Sequence, residues 1–137
     1  MRISDVMSRD VCVVGPETPL QSAARLMAEH DVGSLPVGTD DRLVGIVTDR
    51  DIVLRGVGEG RSVDTPVREV MTPEVQYCFE DQDVDEVAST MAGLELRRLP
   101  VLDRNMRLVG IVSLANIAHS HDTQASQELV QGVARPH

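Results

Sequence analysis

Two short segments of the chain combine residue types that can hold a phosphorylated sugar. The first spans residues 45–51, Gly-Ile-Val-Thr-Asp-Arg-Asp, and leads from an apolar run into a polar helix start. At such a turn the Thr48 hydroxyl and the first helical N–H groups offer donors to a phosphate. Asp51 can accept from two vicinal ribose hydroxyls, and Arg50 adds a charge-assisted donor. The alternative interpretation is a simple N-cap followed by acids that the helix dipole favours.

The same pattern occurs a second time at residues 110–116, which read Gly-Ile-Val-Ser-Leu-Ala-Asn. Ser113 takes the place of Thr48, and Asn116 takes the place of Asp51. A capped turn with a polar residue three positions later is hard to ascribe to chance when it appears twice. Both turns are therefore candidates for ligand binding.

These turns belong to an internal repeat that spans most of the chain. Three blocks recur in the same order with an offset of 64 or 65 positions: Val-Met-Ser at 6–8 as Val-Met-Thr at 70–72, Leu-Pro-Val at 35–37 and 99–101, and Leu-Val-Gly-Ile-Val at 43–47 and 108–112. One residue is added in the turn near 103–106. Repetition on this scale predicts two copies of one supersecondary unit.

Each copy is predicted to have the element order β-α-β-β-α. In the first copy we expect a lead-in turn over 4–7, strands over 11–14, 34–38 and 43–47, and helices over 19–30 and 49–55. Thr18 is predicted to cap the long helix, with Pro19 at its first position. Apolar residues at helical spacing indicate the buried faces of the two long helices: Leu20, Ala23, Ala24 and Met27, then Val84, Val87, Ala88 and Met91.

One copy alone is too small to cover its sheet, so the two are predicted to pack sheet to sheet around a shared core. The expected fold class is α/β. Glycines at 56, 58 and 60, followed by residues 62–66, indicate a linker. We expect repeat 1 with its lead-in segment at 1–60, repeat 2 at 61–121, and a C-terminal tail at 122–137 that contains a helix over 122–133.

The bulk composition limits the partners of the chain. It has 137 residues, a formal net charge of −9 and a pI of about 4.7. Because it has no basic run, it is not expected to bind nucleic acid or an anionic membrane. No segment has the pattern of a signal peptide or of a membrane span, so we expect a cytoplasmic protein.

The sulfur and imidazole groups give weak signals. Cys12 and Cys78 lack the CxxC spacing, and the simplest interpretation is two buried thiols in a reducing compartment. A redox pair is the alternative. His119 and His121 are two positions apart and would not face one ligand on a helix. No metal site is expected.

The repeated motif resembles the CBS domain. It reads Gly, two apolar residues, Thr or Ser, any two residues, then Asp or Asn, and a strand with Leu-Pro-Val precedes it. Two copies in tandem resemble a pseudo-twofold Bateman module, and the likeness covers residues 3 to about 120. The chain looks like the stand-alone two-CBS proteins of bacteria, including the hypoxic response protein type.

The resemblance implies a regulatory module that binds an adenosine compound in clefts built from both repeats. AMP, ADP, ATP, NAD and S-adenosylmethionine are the expected ligands, with no obligatory cofactor. Tyr77 and Phe79 are the only aromatic residues, and we expect the adenine to lie between aliphatic side chains instead. A homodimer and an unknown protein partner are also expected.

The resemblance also assigns the binding residues. Ribose is expected at Asp51 in one cleft and at Asn116 in the other. Thr18 resembles a residue that faces the Ser113 cleft, and the pair at 97–98 resembles basic residues that meet phosphate. The full expected set is Thr18, Thr48, Arg50, Asp51, Arg97, Arg98, Ser113 and Asn116.

The two repeats depart from each other at these positions. Gly33 and Ser34 stand where repeat 2 has its two arginines, and Gln82 stands where repeat 1 has Thr18. The Asp51 cleft therefore has the better ribose acceptor, and the Asn116 cleft has the better phosphate donors.

Two other functions remain open at this point. One is an interaction module that dimerises and docks on a partner without a ligand, and the other is a redox switch through Cys12 and Cys78. An enzyme is not expected, because no nucleophile, base or metal set stands out in the sequence.

Overall fold

The computed structural model describes residues 1–120 of the chain. They form two compact units. The repeat-1 unit contains Val11–Gln76 and Asn105–Leu108, and the repeat-2 unit contains Met1–Asp10, Tyr77–Arg104 and residues 109–120. The helix predicted over 122–133 and the tail at 122–137 lie outside the described residues.

The repeat-1 unit combines one long helix with a two-stranded antiparallel sheet. After the second strand the chain turns into a short helical segment that changes its winding from α to π to 3-10. The elements are α1 (Leu20–His30), β1 (Ser34–Thr39), β2 (Arg42–Thr48), α2 (Asp49–Asp51), a π turn (Ile52–Gly56) and 3-10 turns at Val57–Glu59 and Val67–Glu69. The glycines expected in the linker at 56 and 58 therefore belong to this helical segment.

The first strand of repeat 1 is shorter than the sequence predicts. Within residues 11–14 the β-pairing is a parallel bridge from Val14 to Val37 in β1. The turn between β1 and β2 is confirmed: Asp40 and Asp41 have φ of 52° and 64°. Two consecutive left-handed residues match the twist of a tight antiparallel hairpin.

Helix α1 buries the predicted stripe except for one position. Leu20, Ala23 and Met27 are buried, whereas Ala24 is exposed. Because a helix turns about 100° per residue, these three residues lie along one side of the helix, and that side faces the sheet. The helix ends at Asp31, which has a left-handed φ of 52°.

The predicted cap of α1 is wrong. The cap position is Pro19, without a side-chain hydrogen bond, and Thr18 Oγ1 instead accepts from the Gly15 N–H at 3.0 Å. The helix start is satisfied by backbone: Leu20 N–H donates to the Thr65 carbonyl at 2.9 Å. With these N–H groups already bonded, Thr18 is available to close the preceding turn.

The repeat-2 unit repeats this plan with a three-stranded sheet. Its strands lie side by side in chain order, and the first two run parallel. The elements are a 3-10 turn (Ile3–Asp5), β3 (Cys78–Phe79), α3 (Val84–Leu94), β4 (Arg98–Leu102), β5 (Leu108–Ser113) and a helix, α4, described over 114–120. Cys78 lies within the first strand of this unit and is buried.

Each unit includes the lead-in segment of the other repeat. The segment 65–72 is bonded to repeat 1, because Val67 N–H donates to the Thr18 carbonyl at 2.8 Å and Thr72 bridges to Ile46. The matching contacts hold segment 1–8 on repeat 2: Ile3 N–H to Gln82 carbonyl at 2.9 Å, Val84 N–H to Met1 carbonyl at 2.9 Å, and the bridge of Ser8 to Ile111. The repeat boundaries expected from sequence at 60 and 121 stay a prediction.

Each unit has its own apolar cluster. In the repeat-1 unit α1, β1 and β2 contribute side chains together with Val67 and Val70 of the lead-in segment. In the repeat-2 unit α3, β4 and β5 contribute together with Ile3 and Met7. The lead-in segments are therefore part of the cores, and the mixed helix and strand content confirms the α/β class.

Candidate functional site

The first candidate turn is a reciprocal capping box where β2 enters α2. Thr48 Oγ1 accepts from the Asp51 N–H at 3.0 Å, and Asp51 Oδ2 accepts from the Thr48 N–H at 3.1 Å. Asp51 is only 9% exposed, whereas Arg50 is exposed. The N-cap interpretation is therefore confirmed for these two side chains. The capping box uses Oδ2 of Asp51 and leaves Oδ1 outside it.

The second turn has the same geometry with different chemistry. Ser113 Oγ accepts from the Asn116 N–H, and Asn116 Oδ1 accepts from the Ser113 N–H, both at 3.0 Å. Because Oδ1 of Asn116 is bonded in this way, the amide NH₂ is its remaining polar group. The first turn thus offers an acceptor to a ligand, and the second offers a donor.

The glycines that open both motifs make room for methionines of the lead-in segments. A Cβ on Gly45 would lie 2.7 Å from Met71 Sδ and 3.0 Å from the carbonyl oxygen of Thr72. A Cβ on Gly110 would lie 2.7 Å from Met7 Sδ and 2.8 Å from the Ser8 carbonyl oxygen. Glycine is required at both positions because the lead-in segments approach so closely.

The two turns have different charged side chains beside them. Leu114 N–H donates to the Arg97 carbonyl at 3.0 Å, so the exposed pair Arg97 and Arg98 lies next to the second turn. In repeat 1 the matching bond joins Asp49 N–H to the Gly33 carbonyl at 2.9 Å. The Asp49 carboxylate oxygen Oδ2 would lie 3.1 Å from a Cβ on Gly33, so the first turn has an acid where the second has arginines.

Thr18 and Gln82 perform the same local task in the two repeats. Thr18 Oγ1 accepts from Gly15 N–H at 3.0 Å, and Gln82 Oε1 accepts from Phe79 N–H at 2.8 Å. Thr18 lies in the repeat-1 unit and Ser113 in the repeat-2 unit. The assignment of Thr18 to the Ser113 cleft stays a prediction.

Sequence reasoning missed one residue at the first turn. Arg55 Nη1 lies 4.0 Å from Asp51 Oδ1 and donates to the Val70 carbonyl at 3.1 Å. The spacing of four residues between an acid and a base on one helical segment is the signal that would have found it.

The aromatic residues also found partners within one unit. The rings of Tyr77 and Phe79 meet edge to face with centroids 5.6 Å apart. The Arg104 guanidinium lies 4.0 Å from the Phe79 centroid and forms two hydrogen bonds to Asp81 at 2.8 and 2.9 Å. That pairing lowers the pKa of the Asp81 carboxyl.

A family model described as the CBS domain matches residues 3–58 and 67–121. The chain belongs to the CBS domain family. This CBS pair is 37% identical to hypoxic response protein 1 of Mycobacterium tuberculosis over 134 residues, which cover 96% of this chain and 93% of the relative. A crystal structure of Hypoxic Response Protein I with two coordinated zinc ions has a TM-score of 0.78 and 39% identity, and the match covers 87% of this chain and 98% of that one.

Two solved CBS structures of similar fold contain adenosine compounds. The CBS domain pair of MJ0100, in complex with 5′-methylthioadenosine and S-adenosyl-L-methionine, has a TM-score of 0.77 and 27% identity over 90% of this chain and 98% of that one. CBSX2 in complex with AMP has a TM-score of 0.79 and 26% identity over 90% of this chain and 97% of that one.

Two negative findings concern residues 1–120. Within that range no group of three or more His, Cys, Asp or Glu side chains is placed to hold a metal ion. No helix in the same range is both long and apolar enough to span a membrane.

Proposed function

We propose that this CBS pair is a regulatory module that binds an adenosine-containing ligand at its two capped turns. The observation that carries the proposal is that the same turn geometry occurs in both repeats. In each turn a buried or half-buried Asp51 or Asn116 is fixed by a hydrogen bond to its own turn, and one of its two side-chain polar groups stays outside that bond. The ligands in the MJ0100 and CBSX2 structures support the same ligand class. The nucleotide acts as a regulatory ligand, and the module carries out no reaction of its own.

The proposal gives the two turns different polar contacts with the ligand. At the first turn Asp51 Oδ1 accepts from the ribose hydroxyls, and Arg50 and the Thr48 turn meet the remaining polar groups. At the second turn Asn116 donates to a ribose oxygen, while Arg97 and Arg98 pair with phosphate. Arginine suits phosphate because its planar fork donates two hydrogen bonds at once.

Calorimetry on the full chain with AMP, ADP, ATP, NAD and S-adenosylmethionine tests the proposal. We expect at least one ligand to bind at about micromolar affinity. Asp51→Asn keeps the capping box, as Asn116 does in the second turn, but removes the charge, and it should weaken first-turn binding about tenfold. Arg98→Ala should weaken AMP more than adenosine.

Failure of all five ligands to bind would exclude the sensor and leave the ligand-independent interaction module. Binding that is unchanged in both variants would place the site elsewhere. Thr18→Ala tests the assignment of Thr18 to the second cleft. It should weaken the binding of the same ligand whose binding Asn116→Ala weakens.

The proposal includes a homodimer. Val53, Leu54 and Val57 are 56%, 49% and 70% exposed on the helical segment after β2, and a second copy of the chain is the proposed cover. Ile52, which precedes them in the chain, is half-buried against the repeat-1 cluster. Light scattering at tens of micromolar, about the range of weak association, should give a dimer for the wild type and a monomer for Val57→Glu.

Burial argues against the redox alternative. It raises the pKa of the Cys78 thiol to about 11, so the reactive thiolate is scarce at neutral pH. Both cysteines are present as thiols, which suits a reducing compartment. The proposal therefore places the module in the cytoplasm, where a protein partner would respond to its ligand state.

A further inference from the structure

Arg55 connects the candidate ribose acceptor to the lead-in segment of the repeat-1 unit. Its Nη1 atom donates to the Val70 carbonyl at 3.1 Å and lies 4.0 Å from Asp51 Oδ1. The Asp51 side chain is 11% exposed, and that of Arg55 is 56% exposed. A nearly buried carboxylate thus faces a guanidinium that a third group holds in place.

The separation of the two charges matters for ligand binding. At 4.0 Å the guanidinium is too far from Asp51 Oδ1 for a hydrogen bond, so the oxygen keeps its lone pairs for ribose hydroxyls. It is close enough to compensate the charge of a carboxylate that is largely removed from water. Bonding to the Val70 carbonyl fixes this distance, because it holds the guanidinium away from the carboxylate.

The local winding supports a role for this geometry. Arg55 lies in the π turn Ile52–Gly56, and single π turns in helices occur frequently at functional sites. The matching position in repeat 2 is Ser120, whose hydroxyl donates to the Ile117 carbonyl at 2.8 Å. The compensating charge therefore accompanies the carboxylate of the first turn and is replaced by a hydroxyl beside the neutral Asn116.

We propose that Arg55 is a positioning residue that holds the outward oxygen of Asp51 ready for the two ribose hydroxyls. This rests on the proposed function for its ligand. Arg55 acts through Asp51 and need not touch the ligand itself.

A double-mutant cycle tests this dependence with AMP as the probe. Arg55→Ala should lower the AMP affinity about three- to tenfold, in the range of coupled neighbours, and Arg55→Lys should recover part of it. The double variant Asp51→Asn/Arg55→Ala should bind no more weakly than Asp51→Asn alone. Effects that add in the double variant would overturn the proposal.

Arg61→Ala is the matched control. Arg61 also contacts the lead-in segment, through Glu69 at 3.7 Å, and its Nε donates to the Arg55 carbonyl at 3.1 Å, but it has no contact with the Asp51 carboxylate. It should therefore leave the preference for AMP over 2′-deoxy-AMP unchanged, whereas Arg55→Ala should reduce that preference. An equal reduction in both variants would mean that Arg55 acts by general support of the segment.

Amide hydrogen exchange of the ligand-free protein separates this proposal from the ligand proposal. Thr48 N–H donates to Asp51 Oδ2, so its exchange reports whether the carboxylate is held. Exchange at Thr48 should speed up several-fold in Arg55→Ala and stay near wild type in Arg61→Ala. If AMP fails to bind the wild type, this result still decides whether Arg55 positions Asp51, and unchanged exchange in Arg55→Ala would reject it.

Discussion

Cys78 can be compared with the residue at the matching core position of the other repeat. The side chain lies in β3 opposite Val101 and is 4% exposed. Val14 occupies the matching position in the repeat-1 unit, bridges to Val37 and is also 4% exposed. A thiol therefore fills a site that the other repeat fills with an aliphatic side chain of similar size.

Cys78→Val should remove a loss of stability at alkaline pH. The folded-state pKa is raised from 9.0 to about 11, so as the pH rises through 9.0 the unfolded chain deprotonates first. The wild type should therefore be fully stabilised below pH 9.0 and lose up to about 2 kcal/mol of unfolding free energy as the pH approaches 11. Denaturant unfolding at several pH values measures the difference between wild type and variant.

The composition makes this window easy to interpret. The chain has no lysine, so few other groups titrate in the same range. Cys12→Ser is the control and should keep the alkaline loss of the wild type. A loss of equal size in Cys78→Val would show that burial of this thiol is not its cause.

The element scale is dominated by the contact between each turn and a lead-in segment. Gly45 lies under Met71 and the Thr72 carbonyl, and Gly110 lies under Met7 and the Ser8 carbonyl. A methionine side chain can move aside, but a carbonyl oxygen in a paired backbone cannot do so without breaking the bridge. Alanine at these positions must therefore shift the segment or the turn.

Gly45→Ala and Gly110→Ala should each cost about 1–3 kcal/mol of unfolding free energy, the usual range for overpacking. Gly93→Ala is the matched control, because Gly93 is exposed in α3 and a Cβ there would meet nothing within 4 Å. That variant should be neutral or more stable by up to about 1 kcal/mol. Denaturant unfolding of the three variants checks the order, and a stable Gly45→Ala would show that the segments yield easily.

Elements with strong local signals were predictable from sequence. The long helices were found because apolar residues recur at helical spacing, and Thr48 was found as a cap because it precedes an acidic first turn. Thr18 was misassigned because its turn resembles a cap in sequence. The carbonyl of Thr65, 47 residues away, already accepts from the first helical N–H, and Thr18 bonds the Gly15 N–H instead. Such a competitor is not visible in a local pattern.

The candidate site was predictable in part for the same reason. The spacing of Thr48 and Asp51, and of Ser113 and Asn116, correctly indicated that each pair meets in one turn. The reciprocal bond of the capping box decides which side-chain polar atom of Asp51 or Asn116 stays available to a ligand. The bond from Arg55 to the Val70 carbonyl depends on where the lead-in segment packs. Neither is written in the motif itself.

At the scale of the whole molecule, an internal repeat does not say which copy of a segment packs with which copy of the remainder. Segments 1–8 and 65–72 share the Val-Met pair and have similar residues at three other positions, so contact with either repeat would satisfy the same pattern. In the structure segment 1–8 belongs to the repeat-2 unit, and segment 65–72 belongs to the repeat-1 unit. Ile3 and Val67, both 0% exposed, are the matching core residues of the two segments.

The exchange gives a prediction that distinguishes it from a simple linear division at residue 60. Ile3→Ala removes a buried side chain from the repeat-2 cluster and should cost about 2–4 kcal/mol, whereas Val67→Ala removes a smaller one from the repeat-1 cluster. Amide hydrogen exchange resolved by segment should show Ile3→Ala loosening residues 78–113 first, and Val67→Ala loosening residues 14–48 first. If Ile3→Ala selectively loosened residues 14–48 instead, the lead-in segment would belong to its own repeat, and the compact units would follow the linear division.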